Sequence, residues 1–374
     1  MNETEKQLMP QYGENQKITD GNYDRSLAVK CVNGTFVGQK AENIISYKGI
    51  PFVGKQPVGE LRWKAPVDVT PDEGVYEACY YGKSPVQASG DPASLYPTGE
   101  DCLYLNLWKA DNGTKKKPVI VWIYGGAFDV GGTTDPQYDC HRLIQENPEV
   151  IVVTITYRVS FFGFFHLSHL PDGKDYADAQ NLGLLDQLKA LKWVHENIAG
   201  FGGDPDNVTI WGESAGAASC SLLPLLKGSH QYFHRVILQS GAPAQTRSAE
   251  QAIAVTDKVM EALGCKTVAD LMKRSAEEIT NAWTPLFGFY QVLGIRTLPE
   301  RDGIHLPLNT WKAYADGAAK DIEFLMGCNK DEMNTFLGVT GVDVWNAWAG
   351  GRLEEKLAQL TEDEKKKVES YCHD

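Results

Sequence analysis

Short β-branched and aromatic runs alternate along this chain with longer stretches in which apolar residues recur every three or four positions. PVIVWIY (118–124), VIVVTITYR (150–158), NVTIWG (207–212), RVILQ (235–239) and IEFLMG (322–327) read as strands. Their near-continuous apolar character predicts burial on both faces, as in a parallel sheet covered by helices on either side. Between the second and third runs, NLGLLDQLKALKWVHENI (181–198) sets Leu182, Leu185, Leu188, Leu191, Val194 and Ile198 at helical spacing, with Asn181 as the predicted N-cap. Residues 249–263 and 267–281 read as further helices. The alternation predicts an α/β chain with an open, mostly parallel central sheet flanked by helices.

The last stretch, RLEEKLAQLTEDEKKKVESYCHD, holds two short charged helical patterns and no strand. A chain of 374 residues folding as one unit buries roughly 70–75% of its unfolded surface and needs no staples. The expectation is therefore a single α/β domain over 1–374, cut short at its C-terminal side. The lysines at 115–117 are expected in a solvated loop.

Composition narrows the function classes. A net charge of −13, with no basic patch, argues against nucleic acid and anionic membrane surfaces as partners. No apolar run approaches a membrane span, and the first residues lack the apolar core of a secretory signal. The eight cysteines are scattered, with no CxxC pair or Cys/His cluster at zinc spacing, so reduced thiols in a cytoplasmic protein without a bound metal are expected. The sequons at Asn2, Asn33, Asn112 and Asn207 are then chance matches.

Chemistry concentrates at GESAG (212–216). G-x-S-x-G is a weak pattern alone, but here a β-branched strand precedes it and a small-residue helix follows. That context puts Ser214 on a tight strand-to-helix turn, where Gly212 and Gly216 let the two elements approach. The helix N-terminus behind it stabilises developing negative charge. Acyl transfer also requires donors aimed at an oxyanion, and VWIYGGAFDVGG (121–132) ends a strand in a glycine-rich loop. A phosphate cradle is the competing reading of that loop, but neither G-x-x-x-x-G-K-[ST] nor G-x-G-x-x-G is present.

These residues, taken with several further blocks, resemble the type-B carboxylesterase family of the α/β-hydrolase fold, which includes cholinesterase-like enzymes and bacterial para-nitrobenzyl esterases. The resemblance runs from about residue 30 to the end through YKGIPFVGKQPVGELRWKAP (47–66), EDCLYLNLW (100–108), the long stretch 181–219, ILQSGA and RDGIHLP. It implies Ser214 as nucleophile and the amides of Gly126, Ala127 and Ala215 as the oxyanion hole, with Gly125 permitting close approach. The family's acid, a glutamate in D-E-G, corresponds to Glu332 in KDEMN, with Met333 in place of the glycine. Glu213 and Ser240 correspond to residues supporting the serine and the acid. No cofactor is implied, and small to medium uncharged esters are the implied substrates. Cys102 and Cys265 match family half-cystines whose partners are missing here; Cys79 is the one conceivable substitute mate for Cys102.

The same resemblance exposes a gap. The family places its catalytic histidine in a G-x-x-H loop well beyond the acid. After Glu332 this chain has only His373, at a charged helix end. Of the other seven, His195 lies on the 181–198 helix, and His166 and His169 lie in a loop after a strand. Surface or structural roles are expected for these, so no base is identified on this chain. Three readings follow: an esterase completed by a separate C-terminal segment, a truncated and inactive relative with a binding role, or an esterase with an unconventional base. A truncated sheet would leave an apolar edge exposed, to be covered by a second polypeptide or by self-association. Trp283, Phe287, Phe289 and Tyr290 in 281–295 are candidates for an apolar substrate pocket.

Overall fold

The β-branched runs do form the centre of the molecule. In the computed structural model, which describes residues 13–88, 91–286 and 297–332 together with Thr361, Glu362 and Lys366, an eight-stranded sheet carries the fold. Its strands are β1 (Gln39–Ala41), β2 (Ile44–Pro51), β3 (Tyr104–Ala110), β4 (Lys117–Ile123), β5 (Ile151–Ile155), β6 (Gly203–Glu213), β7 (Arg235–Gln239) and β8 (Glu323–Gly327). The spatial order is β1-β2-β3-β5-β4-β6-β7-β8. From β5 through β8 every pairing is parallel; from β1 to β5 every pairing is antiparallel. The sheet is thus mixed, parallel where the chemistry-bearing loops emerge. A smaller four-stranded sheet built from residues 17–77 packs beside it.

The helices follow the apolar periodicity closely. They include α1 (His141–Glu146), α2 (Leu182–Asn197), α3 (Ala215–Leu222), α4 (Ala249–Leu263), α5 (Val268–Leu271) and α6 (Ala276–Leu286). Helix α2 buries Leu184, Leu191, Trp193 and Val194 in the main core with Val121, Ile123, Val153 and Leu107. Asn181 stands at its N-cap but makes no capping bond. Its side chain instead donates to Glu300 O and Asp302 Oδ2, and accepts from the Glu300 amide. The predicted helix 267–281 is two helices. Ser275 Oγ accepts from the Glu278 amide while the Ser275 amide donates to Glu278 Oε2, a reciprocal cap that starts α6 afresh.

Two expectations are corrected. Lys117 is not in a solvated loop: it opens β4, is buried, and its Nζ donates to Ala110 O at 3.1 Å and Pro148 O at 2.9 Å. Burial, followed by repulsion from Lys109, holds its ammonium below the usual lysine range. Nor are all five strands covered on both faces. On β6 and β7, Val208, Ile210, Val236 and Leu238 are buried. The opposite face runs in register as Trp122, Trp211, Ile237 and Leu325 across β4, β6, β7 and β8. Those side chains are only partly covered, and Leu325 and Met326 on β8 are each 67% exposed. Among the described residues β8 pairs only with β7.

No helix among the described residues is long and apolar enough to cross a membrane. Seven cysteines, including Cys79, Cys102 and Cys265, are free thiols. Trp283 falls within α6, whereas Phe287, Phe289, Tyr290, Met333, Cys372 and His373 lie outside the described residues, as does most of the charged C-terminal stretch.

Candidate active site

At the end of β6 the chain must reverse sharply into α3, and Ser214 stands at that corner with φ 54° and ψ −121°. A residue with a Cβ pays ~1–3 kcal/mol to sit in such a region unless its surroundings fix it. Here they do: the Ser214 amide donates to Gln239 O at 2.8 Å, and Ser214 O accepts from the Ala218 amide at 2.9 Å. The crossing also depends on Gly216, where a Cβ would stand 2.0 Å from Ile123 O. The serine is partly exposed at the carboxyl end of the sheet, just before the positive end of α3.

Against it lies the loop leaving β4. A Cβ on Gly125 would come within 3.2 Å of the Ser214 Cβ and 3.0 Å of Glu213 Oε2, so only glycine permits this approach. Gly126, Ala127 and Phe128 then take successive positive φ values of 104°, 57° and 66°. The turn closes on Gly126 O, which accepts from the amides of Asp129 and Val130, each at 3.0 Å. The amides of Gly126, Ala127 and Ala215 have no acceptor among the described residues. For Ala215 this follows from its place in the first turn of α3. Of this loop, Gly125 is the residue that lies against the Ser214 side chain.

The loop is braced by residues that the linear sequence did not single out. Ser160 donates its amide to Phe128 O at 2.6 Å, the Phe128 ring packs edge-on against Phe164, and Thr297 Oγ1 donates to Asp129 Oδ1. No local pattern links positions as distant as 129 and 297, so this brace emerges only from the fold.

Glu332 reaches the same end of the sheet from β8. The Ser240 amide, at a residue with φ 59°, donates to Gly327 O at 2.8 Å, tying the end of β7 to β8. Glu332 Oε2 accepts from the Asn329 amide at 2.7 Å. Desolvation, and then the nearby charge of Glu332, push the Glu213 carboxyl above the ordinary glutamate range. The two carboxylates are therefore electrostatic neighbours. Ser214, the Gly125–Val130 loop, Glu213, Ser240 and Glu332 all gather at the carboxyl ends of parallel strands, the usual place for chemistry in open α/β sheets.

No histidine among the described residues bonds Ser214 or Glu332. His166 Nδ1 meets Glu300 Oε2 at 2.8 Å and its Nε2 meets Ser168 Oγ at 3.2 Å. His169 pairs with Asp257, His305 with Asp178 and His230 with Pro224 O, while His234 Nδ1 accepts from the Val208 amide. His195, on α2, keeps a buried Nδ1 without a partner. No group of three or more His, Cys, Asp or Glu side chains among the described residues is arranged to hold a metal. A cavity of about 330 Å³ lies against the smaller sheet, lined in part by Asn15, Phe36, Asp72 and Tyr104, and includes none of the site residues.

Residues 25–370 match the model of the carboxylesterase family. The chain is 40% identical over 316 residues to the para-nitrobenzyl esterase of Bacillus subtilis (strain 168), covering 80% of this chain and 61% of that protein. It is 34% identical over 332 residues to an acetylcholinesterase of Leptinotarsa decemlineata, covering 78% and 51%. The crystal structure of the Geobacillus stearothermophilus carboxylesterase EST55 superposes with a TM-score of 0.77 at 41% identity, over 84% of this chain and 63% of that one. This chain thus spans between half and two thirds of the length of these relatives. With an α/β-hydrolase fold and a family match covering most of its length, the chain belongs to the carboxylesterase family.

Proposed function

We propose that this chain supplies the nucleophile, the oxyanion donors and the acid of a carboxylic-ester hydrolase that works through an acyl-enzyme. The observation that carries the proposal is the positive-φ Ser214 corner, approached by Gly125 of a loop whose Gly126 and Ala127 amides, like that of Ala215, have no acceptor among the described residues. Ser214 Oγ attacks the ester carbonyl, and the amides of Gly126, Ala127 and Ala215 receive the oxyanion, each such donor contributing ~10²–10³ in kcat. Collapse of the tetrahedral intermediate expels the alcohol, and water then releases the acid from Ser214.

The serine proton requires a base. In this proposal an imidazole from a C-terminal segment outside the described residues lies between Ser214 and Glu332, and Glu332 fixes its tautomer and stabilises its cationic form. Glu213 and Ser240 hold the surroundings of serine and acid. The open face of β6–β8 suits that segment, with self-association as the other means of covering it. Small to medium uncharged esters are the substrates, no cofactor is used, and the free thiols fit a cytoplasmic location. The chain is taken as one α/β-hydrolase domain.

A second reading is an inactive relative with a binding role; the lack of a histidine on Ser214 among the described residues favours it. A fluorophosphonate probe separates the two. Phosphonylation mapped to Ser214 and lost in Ser214→Ala supports the esterase, whereas an assembled protein that leaves Ser214 unmodified supports the binding role.

A further inference from the structure

The histidine missing from Ser214 has a counterpart elsewhere, where a serine, an imidazole and a carboxylate are already in line. His166 lies on the loop that follows β5 and a short helix, Ser160–Gly163. Its Nδ1 is 2.8 Å from Glu300 Oε2, and its Nε2 is 3.2 Å from Ser168 Oγ. Glu300 is 1% exposed. Its backbone is clamped on both sides by Asn181, which accepts from the Glu300 amide at 2.8 Å and donates to the Glu300 carbonyl at 2.9 Å. A neutral imidazole carrying its proton on Nδ1 toward the carboxylate presents the Nε2 lone pair to the serine hydroxyl. That order of groups is the one that activates a serine.

We propose that Ser168 is a second activated serine, with His166 as its base and Glu300 as the carboxylate that orients the base. The accessibility fits: Ser168 is partly exposed while His166 and Glu300 are buried. Ser168 and His169 occupy the centre of a turn closed by the Leu170 amide on Leu167 O at 3.1 Å, and their own amides have no acceptor among the described residues. Those two amides belong to the serine itself and to the next residue, on the turn that carries the hydroxyl. The His169 ring, 5.3 Å from that of His166 and held by Asp257, flanks the pair. The electrophiles this site takes are small activated acyl or phosphonyl compounds. With a phosphonyl fluoride, the Ser168 Oγ–P bond forms, the P–F bond breaks, fluoride departs with its electron pair, and the hydroxyl proton passes to His166 Nε2.

The test is residue-resolved labelling of the full chain with a fluorophosphonate, followed by tryptic digestion and mass spectrometry. Ser168 and Ser214 fall in different tryptic peptides, so failure at one is read independently of failure at the other. Ser168 should be phosphonylated in both the native chain and Ser214→Ala, about 10²-fold faster than other partly exposed serines, the usual minimum for a positioned general base. Labelling of that peptide should vanish in Ser168→Ala and fall to the background rate in His166→Gln. Should His166→Gln fail to fold, the rate ratio within the native chain still decides the matter. Labelling of Ser168 no faster than that of other exposed serines overturns the proposal.

Discussion

The two halves of the central sheet are built alike in sequence and finished differently in space. In the β3–β5 half, Leu107 and Val153 face the main core, while Trp108 and Val152 face a second cluster closed by Ile144 of α1. In the β6–β8 half the apolar runs of β6 and β7 are sealed on one face only, β8 has no buried residue, and the row Trp122–Trp211–Ile237–Leu325 opens outward. The sealed half anchors the Gly125–Val130 loop proposed to hold the oxyanion donors; the open half carries Ser214 and Glu332. Ser214 and Glu332 thus stand where, among the described residues, one face of the sheet is left open.

This contrast can be broken most decisively by truncating a leucine in each half. Leu107→Ala should destabilise the protein by about 2–5 kcal/mol through lost burial and a cavity, whereas Leu325→Ala should stay within about 0.5 kcal/mol, as an exposed position does. Equal losses in urea denaturation would show that the β6–β8 face is covered in solution. Next in size, Lys117→Ala should cost about 1–3 kcal/mol by leaving the Ala110 and Pro148 carbonyls without their donor. An unchanged urea midpoint would return Lys117 to the solvated loop first expected for it.

On the open half, Ser214→Gly should raise the thermal midpoint, because glycine relieves the positive-φ strain at a gain of up to about 1 kcal/mol. A lower midpoint would mean that the corner is not strained. The smallest effect concerns Glu213. Its carboxyl is raised in the folded state, so its contribution to stability is complete below the usual value of 4.5 and is lost as pH rises through the folded value. Glu213→Gln should therefore gain stability relative to the native chain as pH rises from 4 to 7. Glu332→Gln should bring the Glu213 titration, followed by NMR, back toward its ordinary range. A Glu213 titration unmoved by that change would separate the two carboxylates.

Much of this was legible in the linear sequence because the signals were local. β4, β5 and β7 fall within about three residues of their apolar runs, and α4 coincides with 249–263, opened by the reciprocal cap of Ser248 and Gln251. Ser214 was marked by its own neighbours, since a strand, two glycines and a small-residue helix leave little choice of geometry. What escaped depended on distant partners. Lys117 looked like one of three surface lysines until the Ala110 and Pro148 carbonyls closed around it. The one-sided burial of β7 and the exposure of β8 were invisible because an apolar run records what a strand prefers to meet, not what covers it. The Ser168–His166–Glu300 line joins positions 134 residues apart, beyond the reach of any local motif.

In the proposed function Ser214 is poised for acyl transfer while its base comes from a C-terminal segment outside the described residues. Hydrolysis of a small neutral ester by the 374-residue chain, with and without added imidazole, is the decisive measurement. Turnover should lie on the order of 10⁶-fold below that of an intact serine hydrolase and be raised by imidazole in the native chain but not in Ser214→Ala. Turnover near ~10 s⁻¹, typical of a complete enzyme, without imidazole, or equal stimulation in Ser214→Ala, would contradict it.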